Sequence, residues 1–388
     1  MHELIEYCAG QMSAVRADIE ALVRLESPSN DKAAVDRCGR VLVSLLQDAG
    51  ARVERVPQLD RGDHIRAEFD GGPRRVLILG HIDTVWPVGQ LERMPVKEEN
   101  GRLYGPGIYD MKASVAIASR AVRALRDVGR EGPRVVMLWT TDEEVGSGTS
   151  RALIEAEARA ADAVLVVEPS LPGGACKTGR KGCGEFKVRV RGISAHAGID
   201  PRKGASAIHE LARQILEVEK LGDPGQGISV NVGVISGGSR PNVVAETAEA
   251  VVDVRVPSMA DARRVEEQLG RLAAVDPRVT LEISGGFERP PLERTAGVGR
   301  LYAQAKEVAQ LLGRDLAEGS TGGGSDGNFT AAVGVPTLDG LGPDGDGAHA
   351  LHEHVLLADL AWRGAFIAGL LERINAGEQL VAAEKSKI

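Results

Sequence analysis

"RRVLILGHIDTVWP", residues 74–87, decides how the chain is read. Val76 to Leu79 is a short unbroken apolar run, the pattern of a strand buried on both faces. It ends in Gly80, His81 and Asp83, which puts a histidine and a carboxylate one residue apart. Such a pair at the end of a buried strand is costly unless something binds there. The same pattern recurs downstream. "VVMLWTT" leads into Asp142, Glu143 and Glu144, "AVLVV" into Glu168, and "VPTLDGLG" on towards His349. Asp110 lies in the Gly-rich turn "YGPGIYDMK", just before a helical stretch. Ligands of open α/β sheets bind in the crevice outside the carboxyl ends of the strands, so parallel strands would gather these residues on one rim.

The surrounding chain supports parallel strands. Helical apolar spacing predicts helices over 12–25, 32–49, 112–128, 147–159, 295–312 and 356–375. Strands are expected in "ARVERV", at 76–80, 135–139 and 163–167, and around "VPTLDGL". This alternation indicates an α/β fold with a mostly parallel sheet covered on both faces. Residues 181–291 read differently. "EFKVRVRG", "ISVNVGVISGG", "AEAVVDVRV" and "VTLEIS" are strands of alternating character, and "GASAIHELARQILEVEKL" and "MADARRVEEQLGRLAAV" are amphipathic helices. Their order, β-α-β-β-α-β, is the ferredoxin-like α+β unit. The expected organisation is a catalytic domain in two parts, 1–180 and 292–388, with a lid or dimerisation domain inserted at 181–291. The tail "EQLVAAEKSKI" is expected to be frayed.

Composition narrows the function. The 388 residues are 43% hydrophobic and 26% charged, enough for a proper core under a charged surface. A net charge of −8 argues against nucleic acid or an anionic membrane as main partner, since both want a basic face. No stretch approaches the roughly 18 apolar residues of a membrane span. The N-terminal "MHELIEYCAGQ" carries Glu3 and Glu6 and lacks the apolar segment of a secretory signal. Cys8, Cys38, Cys176 and Cys183 form no C-x-x-C pair and read as thiols in a reducing, cytoplasmic compartment.

Taken singly, each strand-end residue has an ordinary explanation. Asp83 alone is an Asx turn, Glu143 and Glu144 suit a helix N-terminus, and a lone His349 is a surface histidine. Five junctions that all carry ligand-type side chains are another matter. Clustered carboxylates repel one another and shift each other's pKa values, and a cation removes the conflict. Two histidines and three carboxylates suit two zinc ions sharing one carboxylate; with a bridging hydroxide such a site is neutral. Asp83 would accept the second ring N–H of His81 and fix its tautomer. The same donors admit Co²⁺ or Mn²⁺.

"GHIDTV", "GPGIYDMK", "TTDEEVGS", "VEPS", "SAHAG" and "GGGSDGNF" together resemble the motif set of the aminoacylase/carboxypeptidase G family of di-zinc amidohydrolases. The likeness runs in order from about residue 15 to 375. "YGPGIYDMK", "TDEE" and "TGGGSDGNF" look most like the glutamate carboxypeptidases that cleave folate-type N-acyl glutamates. The resemblance implies that Asp110 bridges the metals, His81 and Glu168 complete one site, and Glu144 and His349 the other. It makes Glu143 the general base. It further implies that His196 acts in the active site of a partner subunit of a homodimer joined through the inserted domain. Arg255 and Asn242 match positions that hold the substrate carboxylate and nearby polar groups, and Gly323 and Gly324 lie in a loop that approaches that carboxylate. Two departures stand out. Ala113 and Ser114 occupy positions where the family often has Gly-Gly. His352 stands where Asp or Asn is usual, which leaves His349 and His352 both open as ligand, with register favouring His349.

"GSTGGGSDGN" (319–328) lacks the Lys-Ser/Thr of a phosphate-binding loop, so nucleotide binding is rejected. The expected function is cleavage of an N-acyl or peptidyl amino acid, a small dipeptide-like substrate, with release of a C-terminal residue such as glutamate. An aminoacylase, deacylase or dipeptidase on the same metals is the alternative. A catalytically silent metal-dependent binding or scaffold protein is a third reading. Glu143 argues against the third, because a binding module needs no base.

Overall fold

Alternate side chains of the run Val76–Leu79 enter different cores, which is why the run is apolar without a break. Val76 and Ile78 pack on one face of the sheet with Val135, Met137, Trp139 and Leu165, beneath the helices Ala113–Asp127 and Leu357–Ala376. Leu77 and Leu79 pack on the other face with Val136, Leu138, Val164, Val166, Ile154 and Phe329. These contacts come from a computed structural model that describes residues 1–377; the tail 378–388, expected to be frayed, lies outside the described residues.

The chain divides into two compact units. The first comprises residues 1–179, 294–320 and 325 onward. Its central sheet has six strands in the order Arg52–Val56, His64–Phe69, Pro133–Thr140, Gly72–His81, Ala163–Val166, Thr337–Leu338. The last four run parallel, and the first two form an antiparallel edge. The fold class is therefore the expected mostly parallel α/β sheet. Gly72–His81, Pro133–Thr140 and Ala163–Val166 are consecutive neighbours in register, so His81, Asp142–Glu144 and Glu168 leave the sheet along one edge.

The second unit comprises Arg180–Glu293 and Thr321–Gly324. Its strands lie in the order Ser229–Gly237, Thr247–Val256, Gly182–Arg191, Thr280–Arg289, all antiparallel. With the helices Ala207–Glu219 and Met259–Gly270 this is the ferredoxin-like arrangement. Strict alternation in Thr247–Val256 buries Ala248, Ala250, Val252, Val254 and Val256 on the helix-covered face.

Several local features depart from the sequence-based expectation, among them the unanticipated strand His64–Phe69 and helix Gly327–Ala332. Helix His2–Gly10 was not anticipated, and only Leu4 and Cys8 of it are buried. The helix expected from 147 begins at Arg151. Asp142 holds the preceding turn: its main-chain carbonyl accepts the Ser147 N–H at 2.8 Å, and its carboxylate accepts the N–H and hydroxyl of Thr149, both at 2.7 Å. Finally, Lys97–Glu99, Arg102–Tyr104, Gly345–Asp346 and His354–Leu356 form a small antiparallel sheet, in strands too short to carry a readable period. All four cysteines are free thiols, and no helix among the described residues is long and apolar enough to cross a membrane.

Candidate metal centre

Gly80 precedes His81 because nothing larger fits. A Cβ there would lie 2.6 Å from the Met111 methyl and 2.9 Å from the Trp139 ring. The turn carrying Asp110 is thus packed directly on the end of the strand that carries His81. His81 is almost wholly buried, and its Nε2 lies 3.2 Å from Asp110 Oδ1 and 3.5 Å from Glu168 Oε1. Asp110 Oδ2 lies 3.4 Å from Nε2 of His349, which is also 3.3 Å from Glu144 Oε2. The two oxygens of one carboxylate are therefore divided between two histidines, and each histidine has a second carboxylate of its own. His81, Asp110 and Glu144 each offer a ligand atom within 4.8 Å of the others.

The electrostatics of this cluster call for positive charge. Burial pushes His81 down, but Asp110, Asp83 and Glu168 outweigh it and hold the ring well above its usual range. Contacts with Asp110 and then Glu144 push His349 up to about 10. Burial raises Glu144, and its Oε1 is buried with no hydrogen-bond partner. Protonated imidazoles do here what a cation would do better, since a bound cation also takes the orphaned oxygen. The donor set, imidazole nitrogens and carboxylate oxygens, fits zinc, cobalt or manganese.

Asp83 has a wider role than the expected clasp on His81. The ring Nδ1 meets the main-chain carbonyl of Asp83 at 3.0 Å and its carboxylate at 3.5 Å. The fully buried carboxylate accepts the Ser29 hydroxyl at 2.7 Å and the N–H groups of Glu143 and Glu144 at 3.4 and 3.3 Å. It thereby ties the His81 strand to the turn bearing Glu143 and Glu144, an arrangement that favours its ionised form. His349 faces the carboxylates, whereas His352 faces Asp346 at 3.6 Å on the outside. Sequence reading missed Ser29 and Glu353. The latter accepts the N–H groups of Tyr109 and Asp110 at 2.9 and 3.0 Å.

The remaining candidates belong to the second unit. His196 is exposed, and its Nδ1 accepts the N–H groups of Gly198 and Ile199 at 3.1 and 3.2 Å. Asn242 is exposed on a loop whose main-chain carbonyl accepts the Ala197 N–H at 3.0 Å. Arg255 forks onto Asp253 at 2.9 and 2.8 Å and also touches Cys183. The Gly323 and Gly324 carbonyls accept from Arg180 at 3.2 and 3.0 Å.

Residues 77–373 match the profile of peptidase family M20/M25/M40. The chain belongs to this family. Carboxypeptidase G2 of Pseudomonas sp. (strain RS-16) is 30% identical over 97% of this chain and 92% of its own. A succinyl-diaminopimelate desuccinylase of Xanthomonas oryzae pv. oryzae is also 30% identical, over 87% of this chain and 93% of its own. Among solved structures, aminopeptidase PepT of Bacillus cereus superposes with a TM-score of 0.80 at 21% identity, covering 94% of this chain and 98% of that one. A dinuclear metal-binding M20 peptidase of Bacillus subtilis gives 0.73 at 17% identity, covering 94% and 98%. As an M20/M25/M40 member the protein is a hydrolase of amide bonds in a metal-dependent family, and the candidate ligand cluster lies where its parallel strands end.

Proposed function

We propose that the protein is a di-zinc metallohydrolase that cleaves the amide bond of N-acyl or peptidyl amino acids and releases the C-terminal amino acid, glutamate in the first instance. The division of Asp110 between His81 and His349 carries the two-metal reading. His81, Glu168 and Asp110 would hold one ion, and His349, Glu144 and Asp110 the other. Bound there, the two ions would polarise the scissile carbonyl and lower the pKa of the attacking water.

Glu143 stands half-buried beside Glu144 on the turn whose main chain Asp83 holds through the same two N–H contacts. It takes the proton of the attacking water as the new C–O bond forms. It then delivers that proton to the amine nitrogen as the C–N bond breaks. The surrounding residues Asp83 and Ser29 keep the turn in place. Arg255, Asn242 and the Gly323–Gly324 segment are assigned to the substrate carboxylate, and His196 to the oxyanion of a partner subunit's active site. A homodimer in the cytoplasm completes this reading.

Metal analysis followed by a screen of N-acyl amino acids tests it. Two zincs per chain with preferred release of glutamate supports the carboxypeptidase. The equal identity to a desuccinylase keeps a second reading, removal of a short acyl group whatever the amino acid; indifference to glutamate would select it. Glu143→Gln is expected to keep both metals and lose roughly 10²–10⁴-fold in kcat. Full turnover in that variant would sink the assigned base.

A further inference from the structure

Glu353 is a carboxylate with about 1% of its surface exposed. Its Oε1 accepts the main-chain N–H of Tyr109 at 2.9 Å and of Asp110 at 3.0 Å. Its Oε2 accepts the Gly107 N–H at 2.9 Å and the Trp86 indole N–H at 2.8 Å. All four partners donate. Only a carboxylate that accepts at both oxygens fits them; an amide in its place would set a donor against donors. Three of the four donors belong to the single turn 107–110, which ends in Asp110. Gly107 enters this turn at φ 69°, and just before it the Gly105 N–H reaches the Glu353 carbonyl at 3.4 Å, so the Glu353 main chain holds the approach to the turn that its side chain binds. Glu353 itself follows His349 by four residues, at the base of the loop that brings His349 to the cluster.

We propose that Glu353 is a positioning residue: it clamps the Asp110 turn to the His349 loop and so sets the spacing of the two cation sites. The inference rests on the two-metal reading above. His81 stands on a strand inside the sheet and needs no such support. His349 stands on a loop at φ 60°, a backbone conformation unusual for a side-chain-bearing residue, and is half-exposed. Release of the clamp therefore weakens the His349–Glu144 site first.

Cobalt titration of the metal-free full-length protein, followed by visible d–d absorption, reads each binding step without relying on turnover. In Glu353→Gln the weaker step is expected to weaken by about 10–100-fold, with altered absorption bands, while the tighter step moves less. Turnover of the loaded variant should fall in kcat with KM little changed. Glu353→Asp, which keeps the charge and shortens the reach, should shift the same step in the same direction by a smaller factor, and it carries the test if the amide variant does not fold. Wild-type cobalt affinities and spectrum in either folded variant would overturn the proposal. A wild-type protein that takes up fewer than two cobalt ions would overturn the two-metal reading itself, and the clamp with it.

Discussion

Asp110 must serve two histidines with one carboxylate, and the side chains that reach it decide which histidine counts. His349 is 3.4 Å away, whereas His352 is turned to Asp346. His349→Ala is expected to remove about one metal ion per chain and His352→Ala none, as read by atomic emission. Equal losses would return both histidines to contention. At this scale His81, Glu144 and Glu168 were legible as candidate ligands because each follows an apolar run, whereas Asp110 stands in a Gly-rich turn and His349 well beyond its strand. The sequence hid Glu353 and Ser29, whose partners are mostly main-chain N–H groups, with the Trp86 indole and the Asp83 carboxylate besides. Such contacts leave no pattern in side-chain types. It also exaggerated one pairing, since the nearest acceptor for His81 Nδ1 is the Asp83 main chain.

Among the elements, helix Ala207–Glu219 shows how one buried acid organises a unit. The Glu210 side chain is fully buried. It accepts the N–H groups of Val275 and Asp276 at 2.8 and 3.2 Å, and bonds from Gln214 and Arg213 at 2.8 and 3.1 Å. Burial alone would raise its pKa, but these four donors outweigh it and the carboxyl titrates below its ordinary value. A depressed folded pKa gives stability that is present above the unfolded pKa and lost as pH falls through the folded one. Glu210→Gln is accordingly expected to cost about 1–3 kcal/mol at pH 7. The difference from wild type should narrow as pH falls through the depressed native pKa, where the native carboxylate also protonates. Urea unfolding across that range checks it; a difference independent of pH would contradict the assignment. The long elements were legible through the 3.6 period of the helices, the alternation of period 2 in the strands of the second unit, and the unbroken apolar runs of the central sheet. Strands of two and three residues have no period to read, so the small sheet that supports the His349 loop was invisible. Helix His2–Gly10 buries too few side chains to announce itself.

Across the whole molecule, the second unit presents Ser229–Gly237 as an edge strand with Val234 and Ile235 each 60% exposed, and Leu216 is 59% exposed on helix Ala207–Glu219. An apolar edge of this kind invites a second copy. Light scattering is expected to give twice the chain mass. If His196 acts across that contact, a mixture of Glu143→Ala and His196→Ala proteins should recover activity that neither has alone; no recovery would confine His196 to its own chain.

The order in which these pieces leave the ribosome has a consequence for how the metal centre matures. His81, Asp110, Glu144 and Glu168 are synthesised before the inserted unit, and His349 and Glu353 some 180 residues after Glu168. The strand Thr337–Leu338, which completes the central sheet, is also late. At 5–20 residues per second the first four donors wait about 10–35 s for the fifth. On the two-metal reading proposed above, a nascent chain can therefore recruit one ion early, whereas the second waits until the segment carrying His349 has been made.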